Sequence, residues 1–203
     1  EGCSEAVKEV FIKLYEKGLI YKGKYIVNWC PRCNSAISDV ETEYATEQGH
    51  MWEISYPLKG EHGAIIVATT RPETIFGDVA IAVHPSDHKY SELIGKTVVI
   101  PLSGREIPII ADEYVDKNFG TGAVKITPAH DPNDFEVGKR HGLKPVWVID
   151  TEGKMKACGE VPQSLHGLDR YEAREKIIGM LSYENFLLRT RDHEHNVGKC
   201  QSC

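Results

Sequence analysis

The sequence predicts a mainly β domain with peripheral helices, an α+β chain whose centre is a β-barrel rather than a parallel sheet. Three observations carry this. Between Met51 and Asp150, short apolar runs are separated by Gly and Pro punctuation instead of by helical patterns. Apart from one short pattern between Asp131 and Gly142, the helical patterns lie outside that region, at Ser4 to Gly18 and at Asp169 to Leu181. Two C-x-x-C pairs, Cys30-Pro-Arg-Cys33 and Cys200-Gln-Ser-Cys203, stand far apart in the chain, and a site built from both would tie the two ends together.

In chain order, Val7, Val10, Phe11 and Leu14 follow the i, i+3, i+4, i+7 spacing of a helix face, and Gly18 ends the pattern. Lys24 to Trp29 reads as a short strand entering the first cysteine pair, and residues 34–49 are polar and read as a loop. Strands are expected at Met51 to Leu58, Ala64 to Thr70, Val79 to Val83, Thr97 to Pro101, Glu106 to Ile110, Ala123 to Thr127 and Val146 to Asp150. Ser103-Gly104 marks a hairpin between the fourth and fifth of these. Asp131-Pro132 opens a helical pattern closed by Gly142, since Asp suits the cap and Pro the first helical position. Phe186 to Leu188 reads as a returning strand. This divides the chain into residues 1–49 (helix and first cysteine pair), 50–160 (barrel core) and 161–203 (second helix, returning segment and second cysteine pair).

The 203 residues, 41% hydrophobic and 27% charged, describe an ordinary globular chain. A net charge of −6 excludes a broad, sequence-independent nucleic-acid surface but permits local contact with a nucleic-acid end. No apolar run has the length of a membrane span, and no signal-peptide pattern is present, so no membrane partner and a cytoplasmic location are expected. The opening Glu-Gly-Cys reads like a piece cut from a longer chain.

The two cysteine pairs fit a tetrahedral four-thiolate zinc site with Cys30, Cys33, Cys200 and Cys203 as ligands. Disulfides are disfavoured in a chain with no secretory features, and no thioredoxin-like context supports a redox dithiol. His193 and His195 precede the second pair and are read as solvent-exposed, four cysteines being enough for the metal.

Two polar stretches stand at strand ends. One is Gly120-Thr-Gly-Ala-Val-Lys-Ile-Thr-Pro-Ala-His-Asp-Pro-Asn-Asp-Phe135, where a strand end, a loop and a helix start gather Lys125, Thr127, His130, Asp131 and Asp134. Lys125 and Thr127 are two apart on a strand and share a face. With the two carboxylates they suggest a pocket for a small ligand bearing an amine and a hydroxyl, although Asp131 and Asp134 are equally an N-cap and a helix-dipole partner. The other is Thr69-Thr-Arg-Pro-Glu-Thr-Ile-Phe-Gly-Asp78, where Arg71 suits an oxyanion or simply pairs with Glu73.

Together these two motifs resemble the editing domain inserted into class I aminoacyl-tRNA synthetases for valine, isoleucine and leucine. Glu73, Lys125, Thr127 and Pro132 resemble the valine branch most. Asn28-Trp-Cys-Pro-Arg-Cys33 and Gly104-Arg-Glu-Ile-Pro-Ile109 fit it too, so the resemblance covers essentially the whole chain. It implies a β-barrel deacylase that hydrolyses threonine from the 3′ end of the mischarged valine tRNA. By matching position, Lys125, Thr127, Asp131 and Asp134 are implied to line the threonine side, Arg71 and Phe119 to contact the terminal adenosine, and Thr69, Thr70, Glu73 and Thr74 to border the substrate. His130 is the only general base the motif offers. The His-Ile-Gly-His and Lys-Met-Ser-Lys-Ser motifs of the synthetic site are absent from these residues, so ATP-dependent charging is expected of the remaining domains of a parent enzyme. A non-catalytic zinc-ribbon module that docks RNA or another domain is the competing expectation.

Overall fold

The computed structural model describes residues 2–203. Strands outweigh helices. After a first helix α1 (Gly2–Glu16), a small antiparallel hairpin of β1 (Asn28–Cys30) and β2 (Ser35–Ile37) carries the first cysteine pair. A three-stranded sheet follows in the order β4-β3-β9, from β3 (Thr42–Pro57), β4 (Ala64–Thr69) and β9 (Leu187–Cys200). The second sheet has four strands, β6 (Thr97–Val99), β7 (Glu106–Ala111), β5 (Ala80–Val83) and β8 (Ala123–Ile126), in the order β6-β7-β5-β8. The two sheets close on each other: Leu58, just past β3, bridges Val98 of β6, while β4 lies against β8. Helices α2 (Pro132–Arg140) and α3 (Arg170–Tyr183) pack outside.

Inside the closed part, alternation decides the core. Trp52, Ile54 and Tyr56 on β3 and Ile65 and Val67 on β4 point inward, two residues apart, while the residues between them stay partly exposed. β5 is buried on both faces, in keeping with its central place and its all-apolar sequence Ala-Ile-Ala-Val. It pairs parallel with β7 and antiparallel with β8, a mixed arrangement inside the expected barrel. From outside, α3 presents Ala173, Ile177 and Leu181, spaced by four, and all three are fully buried. Each such Ile or Leu contributes about 1.5–3 kcal/mol on burial.

Four expectations about elements are corrected. Residues 34–49 are not a loop: they hold β2 and the first half of β3. That half pairs with β9 from Thr42↔Cys200 onward, and the pairing reaches Ile54↔Leu187 past a bulge at Glu53/Ile54. The ribbon stands out from the core with both faces largely exposed, so neither face needs apolar residues and the alternation signal is missing. Cross-strand polar pairs replace it, Lys199 with Glu47 at 2.7 Å and Gln48 with Glu194 at 2.7 Å. For the same reason the returning strand runs to Cys200 rather than stopping at Leu188. The strand expected over Lys24 to Trp29 begins only at Asn28. Val146 to Asp150 joins no sheet; its backbone makes a single bridge, Ile149↔Met155.

In α1, no residue is buried, and Val7, Val10 and Phe11 face outward. Among the described residues no helix is long and apolar enough to cross a membrane.

Candidate active site

The site forms where three pieces of chain meet: the end of β4 with the buried 3₁₀ turn Pro72–Gly77, the end of β8, and the start of α2. Local sequence explains each. β8 ends at Thr127-Pro128, where Pro cannot continue the ladder. Asp131 caps α2, its Oδ1 accepting the amides of Asn133 (2.8 Å) and Asp134 (3.1 Å), and Pro132 fills the first helical position. Two glycines allow the close packing. A side chain at Gly138 would collide with the Pro128 ring, and one at Gly77 would press on the Thr127 methyl group and the Val146 carbonyl at 3.0 Å.

The expected face of β8 is realised. Lys125 Nζ donates to Thr74 Oγ1 at 2.9 Å, to Asp78 Oδ1 at 2.8 Å and to Thr127 Oγ1 at 2.5 Å. The Thr127 hydroxyl reaches the same Asp78 oxygen at 2.6 Å, and its backbone amide donates to Asp134 Oδ2 at 2.8 Å. Lys125, Thr127, Asp134, Thr74 and Asp78 are all buried. Burial, with the Asp131 charge nearby, pushes the Asp134 carboxyl up to about 7, well above the carboxylate range.

His130 is held differently. Its Nε2 accepts the amide of Val148 at 3.1 Å, so in the neutral ring the proton sits on Nδ1. Burial and the cationic Arg71 and Lys125 press its pKa down to about 3, so the imidazole is neutral at ordinary pH. Its carbonyl receives Arg71 Nη1 at 2.7 Å. Arg71 is otherwise exposed and its backbone amide donates to the buried Thr69 hydroxyl at 3.1 Å. The Thr74 hydroxyl donates to the Arg71 carbonyl at 2.9 Å. Thr70 is half-buried beside them, and Phe119 is 59% exposed on the turn before β8. Glu73 is turned away: both its oxygens meet Arg174 of α3, at 2.8 and 2.9 Å.

Sequence reasoning passed over Asp78, Tyr56, Arg105 and Arg174. Asp78 closes the second polar motif, and as a charged residue between Gly77 and an apolar strand it was the one visible signal. The Tyr56 hydroxyl donates to Asp78 Oδ2 at 2.7 Å, and Arg105 Nη2 to the Phe76 and Asp78 carbonyls at 2.8 and 2.5 Å. Nothing in the sequence pairs those positions.

At the other end of the β3–β9 ribbon, the Thr42↔Cys200 register brings the second cysteine pair onto the β1–β2 hairpin. The four cysteines are free thiols whose sulfur atoms all lie within 4.8 Å of one another. The Cys30–Cys203 and Cys33–Cys200 separations are 3.5 and 3.9 Å. Four sulfurs around an ion at a zinc–sulfur distance of about 2.3 Å stand about 3.8 Å apart, so the donor set fits a tetrahedral metal ion. The Cys33 amide points at Cys30 Sγ at 3.4 Å, as a thiolate ligand requires. His193 and His195 lie outside this cluster. They are half-buried rather than solvent-exposed, with rings stacked at 5.9 Å on β9.

The model for tRNA synthetases class I (I, L, M and V) matches residues 1–186. The valine–tRNA ligase of Carboxydothermus hydrogenoformans is 58% identical over 203 residues, 100% of this chain and 23% of that protein. The valine–tRNA ligase of Thermotoga maritima is 52% identical with the same coverage. The chain therefore spans about a quarter of the length of the curated relatives it matches. Among solved structures, GlLeuRS-CP1 superposes with a TM-score of 0.55 at 15% identity, over 71% of this chain and 99% of that one. The ternary complex of Agrobacterium radiobacter K84 agnB2 LeuRS with tRNA and LeuAMS gives 0.53 at 21%, over 93% of this chain and 31% of that one. These two establish the fold: the mainly β architecture is that of the synthetase CP1 domains. The chain belongs to the class I tRNA synthetases, in the isoleucine, leucine, methionine and valine group, and is similar along its whole length to one part of valine–tRNA ligases.

Proposed function

We propose that this chain is the editing domain of a valine–tRNA ligase and hydrolyses threonine from mischarged tRNA(Val). The observation that carries the reading is the buried cluster of Lys125, Thr127 and Asp134 at the end of β8, polar groups of the kinds that pair with the α-ammonium and the side-chain hydroxyl of a threonyl ester. An apolar synthetic pocket cannot strongly reject an isostere that adds only a hydroxyl, as the valine enzymes are known to illustrate. A polar pocket inverts the preference, because valine leaves its groups desolvated and unpaired.

In this reading Asp134 holds the substrate ammonium through Oδ1, its Oδ2 being engaged by the Thr127 amide. Asp131 spends one oxygen on the helix cap and lends its charge. Thr127 reads the threonine hydroxyl, and Lys125, whose donors face Thr74, Asp78 and Thr127, holds Thr127 in place for it. Arg71 and the exposed Phe119 meet the terminal adenosine, and Thr69, Thr70 and Thr74 border the ester, with Glu73 anchoring the turn that presents them. A water adds to the ester carbonyl, the bond to the ribose oxygen breaks, and that oxygen leaves with a proton. His130, neutral and with Nε2 committed to Val148, positions Arg71 instead of acting as general base.

The four thiolates bind a structural zinc ion, which brings the two ends of the chain together; the charging of tRNA(Val) with valine and ATP belongs to other domains of the parent protein, in the cytoplasm. The test is deacylation of threonyl-tRNA(Val) and valyl-tRNA(Val) by the full-length protein. Rapid release of threonine and retention of valine are expected. Equal, slow release of both points to a docking module without deacylase activity.

A further inference from the structure

We propose that Asp78 is a positioning residue of this pocket: its buried carboxylate fixes the direction and preserves the charge of Lys125, and turns the acceptor side of the Thr127 hydroxyl toward the ligand. The inference rests on the editing function proposed above.

The hydrogen-bond inventory carries it. An ammonium has three donors and a threonine hydroxyl has one. All three of Lys125 are placed, on Thr74, Asp78 and Thr127. The single Thr127 proton goes to Asp78 Oδ1. The Thr127 oxygen, already accepting from Lys125, keeps one acceptor position and no donor. It is therefore matched by a ligand that brings an O–H and stranded by one that brings a methyl group. Without Asp78, the Thr127 proton is free to turn and that distinction is lost.

Asp78 is itself held from behind. Its side chain has no exposure, its Oδ2 accepts the Tyr56 hydroxyl, and its carbonyl accepts Arg105 Nη2. Burial and the Asp78 charge hold the Tyr56 hydroxyl well above its ordinary pKa, so it stays a donor. The charged or titratable groups facing this pair are Asp134 and His130 beside Lys125, and Tyr56 and Arg105 beside Asp78. Lys125 and Asp78 form an ion pair at 2.8 Å with almost no solvent contact. Apolar residues commonly fill such a volume at no loss of stability, so stability alone does not account for the pair.

Asp78→Asn in the full-length protein tests this. Asn keeps an acceptor but removes the charge, and a buried ammonium without a counter-charge favours its neutral form. Threonyl-tRNA(Val) deacylation, corrected for hydrolysis without enzyme, should fall about tenfold to a hundredfold at neutral pH. Added to Lys125→Met, the substitution should cost less than it does alone, because only the Thr127 contact is then left to lose. Tyr56→Phe removes only the hydroxyl behind Asp78 and should give a smaller loss, reduced again in the Lys125→Met background; it decides the matter if the Asn variant does not fold. Unchanged rates in both variants, or losses that add in full to that of Lys125→Met, overturn the role of Asp78. A wild-type protein that leaves threonyl-tRNA(Val) intact overturns the functional reading instead.

Discussion

Glu73 and Arg174, 101 residues apart, form a two-point ion pair: Arg174 Nε lies 2.8 Å from Oε2 and Nη2 2.9 Å from Oε1. It joins the buried turn Pro72–Gly77 to α3, so a helix outside the barrel fixes the loop that carries Arg71 and Thr74. Removing one partner strands the other. Arg174→Ala leaves a nearly inaccessible carboxylate with only Arg71, 3.5 Å away, and should cost up to about 3–5 kcal/mol of unfolding free energy. Glu73→Met combined with Arg174→Met should recover much of that loss. Denaturant unfolding of the single and double variants measures both.

The cysteine cluster sets a second expectation. It sits at the tip of the β3–β9 ribbon, far along the chain from β8, and shares no contact with Lys125, Thr127 or Asp134 in the bonds described above. Cys30→Ser should therefore lower thermal stability and zinc content, the two being coupled because binding free energy at such a site is folding free energy. The preference for threonyl over valyl ester should remain. Metal analysis of protein purified without chelators, beside melting curves with and without chelator, reads this out. Metal-free protein with the four cysteines oxidised contradicts it.

Much of this was legible in the sequence, and the gaps have physical reasons. A continuous apolar run marks β4 and an imperfect alternation marks the second half of β3, because each buries a face in the core. The ribbon has no buried face, and its length was invisible. Cap chemistry at Asp131-Pro132 placed the start of α2 correctly, while the bond from the Thr127 amide to Asp134 emerges only in the fold. Glu73 illustrates the opposite case. Its nearest charge in sequence, Arg71, does stand 3.5 Å away, but its stronger partner is Arg174. A partner a hundred residues distant leaves no local trace. Asp78 was missed similarly, because its donors come from β3 and β8.

Asp134 and His130 predict an unusual pH dependence of stability. Burial raises the Asp134 carboxyl from its ordinary 3.8 to about 7, so the native state binds its proton more tightly than the unfolded chain. Its contribution is fully present below pH 3.8 and is lost as pH rises through about 7. His130, lowered from 6.5 to about 3, acts in the opposite sense: its contribution is present above pH 6.5 and is lost as pH falls toward 3. The two oppose each other over most of the acid range, and Asp134 acts alone as neutrality is approached. Asp134→Asn, which carries no charge to bury, should be more stable than wild type at and above neutral pH, by up to about 4 kcal/mol. It should also be nearly inactive, lacking the charge for the substrate ammonium. Unfolding measured in steps from pH 5.5 to 8.5 (about the range in which the group titrates) tests the sign.

Thr127→Val separates the pocket's chemistry from its shape. Valine keeps the volume of threonine and the β-branch that suits a strand, so the end of β8 and the Thr127 amide bond to Asp134 are retained. What disappears is the hydroxyl between Lys125 and Asp78, leaving one fewer acceptor for the ammonium and one fewer donor for the carboxylate. A buried polar group left unpaired costs about 1–3 kcal/mol, so some loss of stability is expected. The functional consequence is sharper. The acceptor offered to a threonine hydroxyl is replaced by a methyl group, which suits valine. Hydrolysis of threonyl-tRNA(Val) should drop by about one to two orders of magnitude, and discrimination against valyl-tRNA(Val) should relax. Lys125→Met should relax it too, with a larger stability loss because Asp78 is then buried without its counter-ion. The ratio of the two deacylation rates, wild type against variant in the full-length protein, is the deciding measurement. A ratio unchanged in both variants places threonine selection outside this strand.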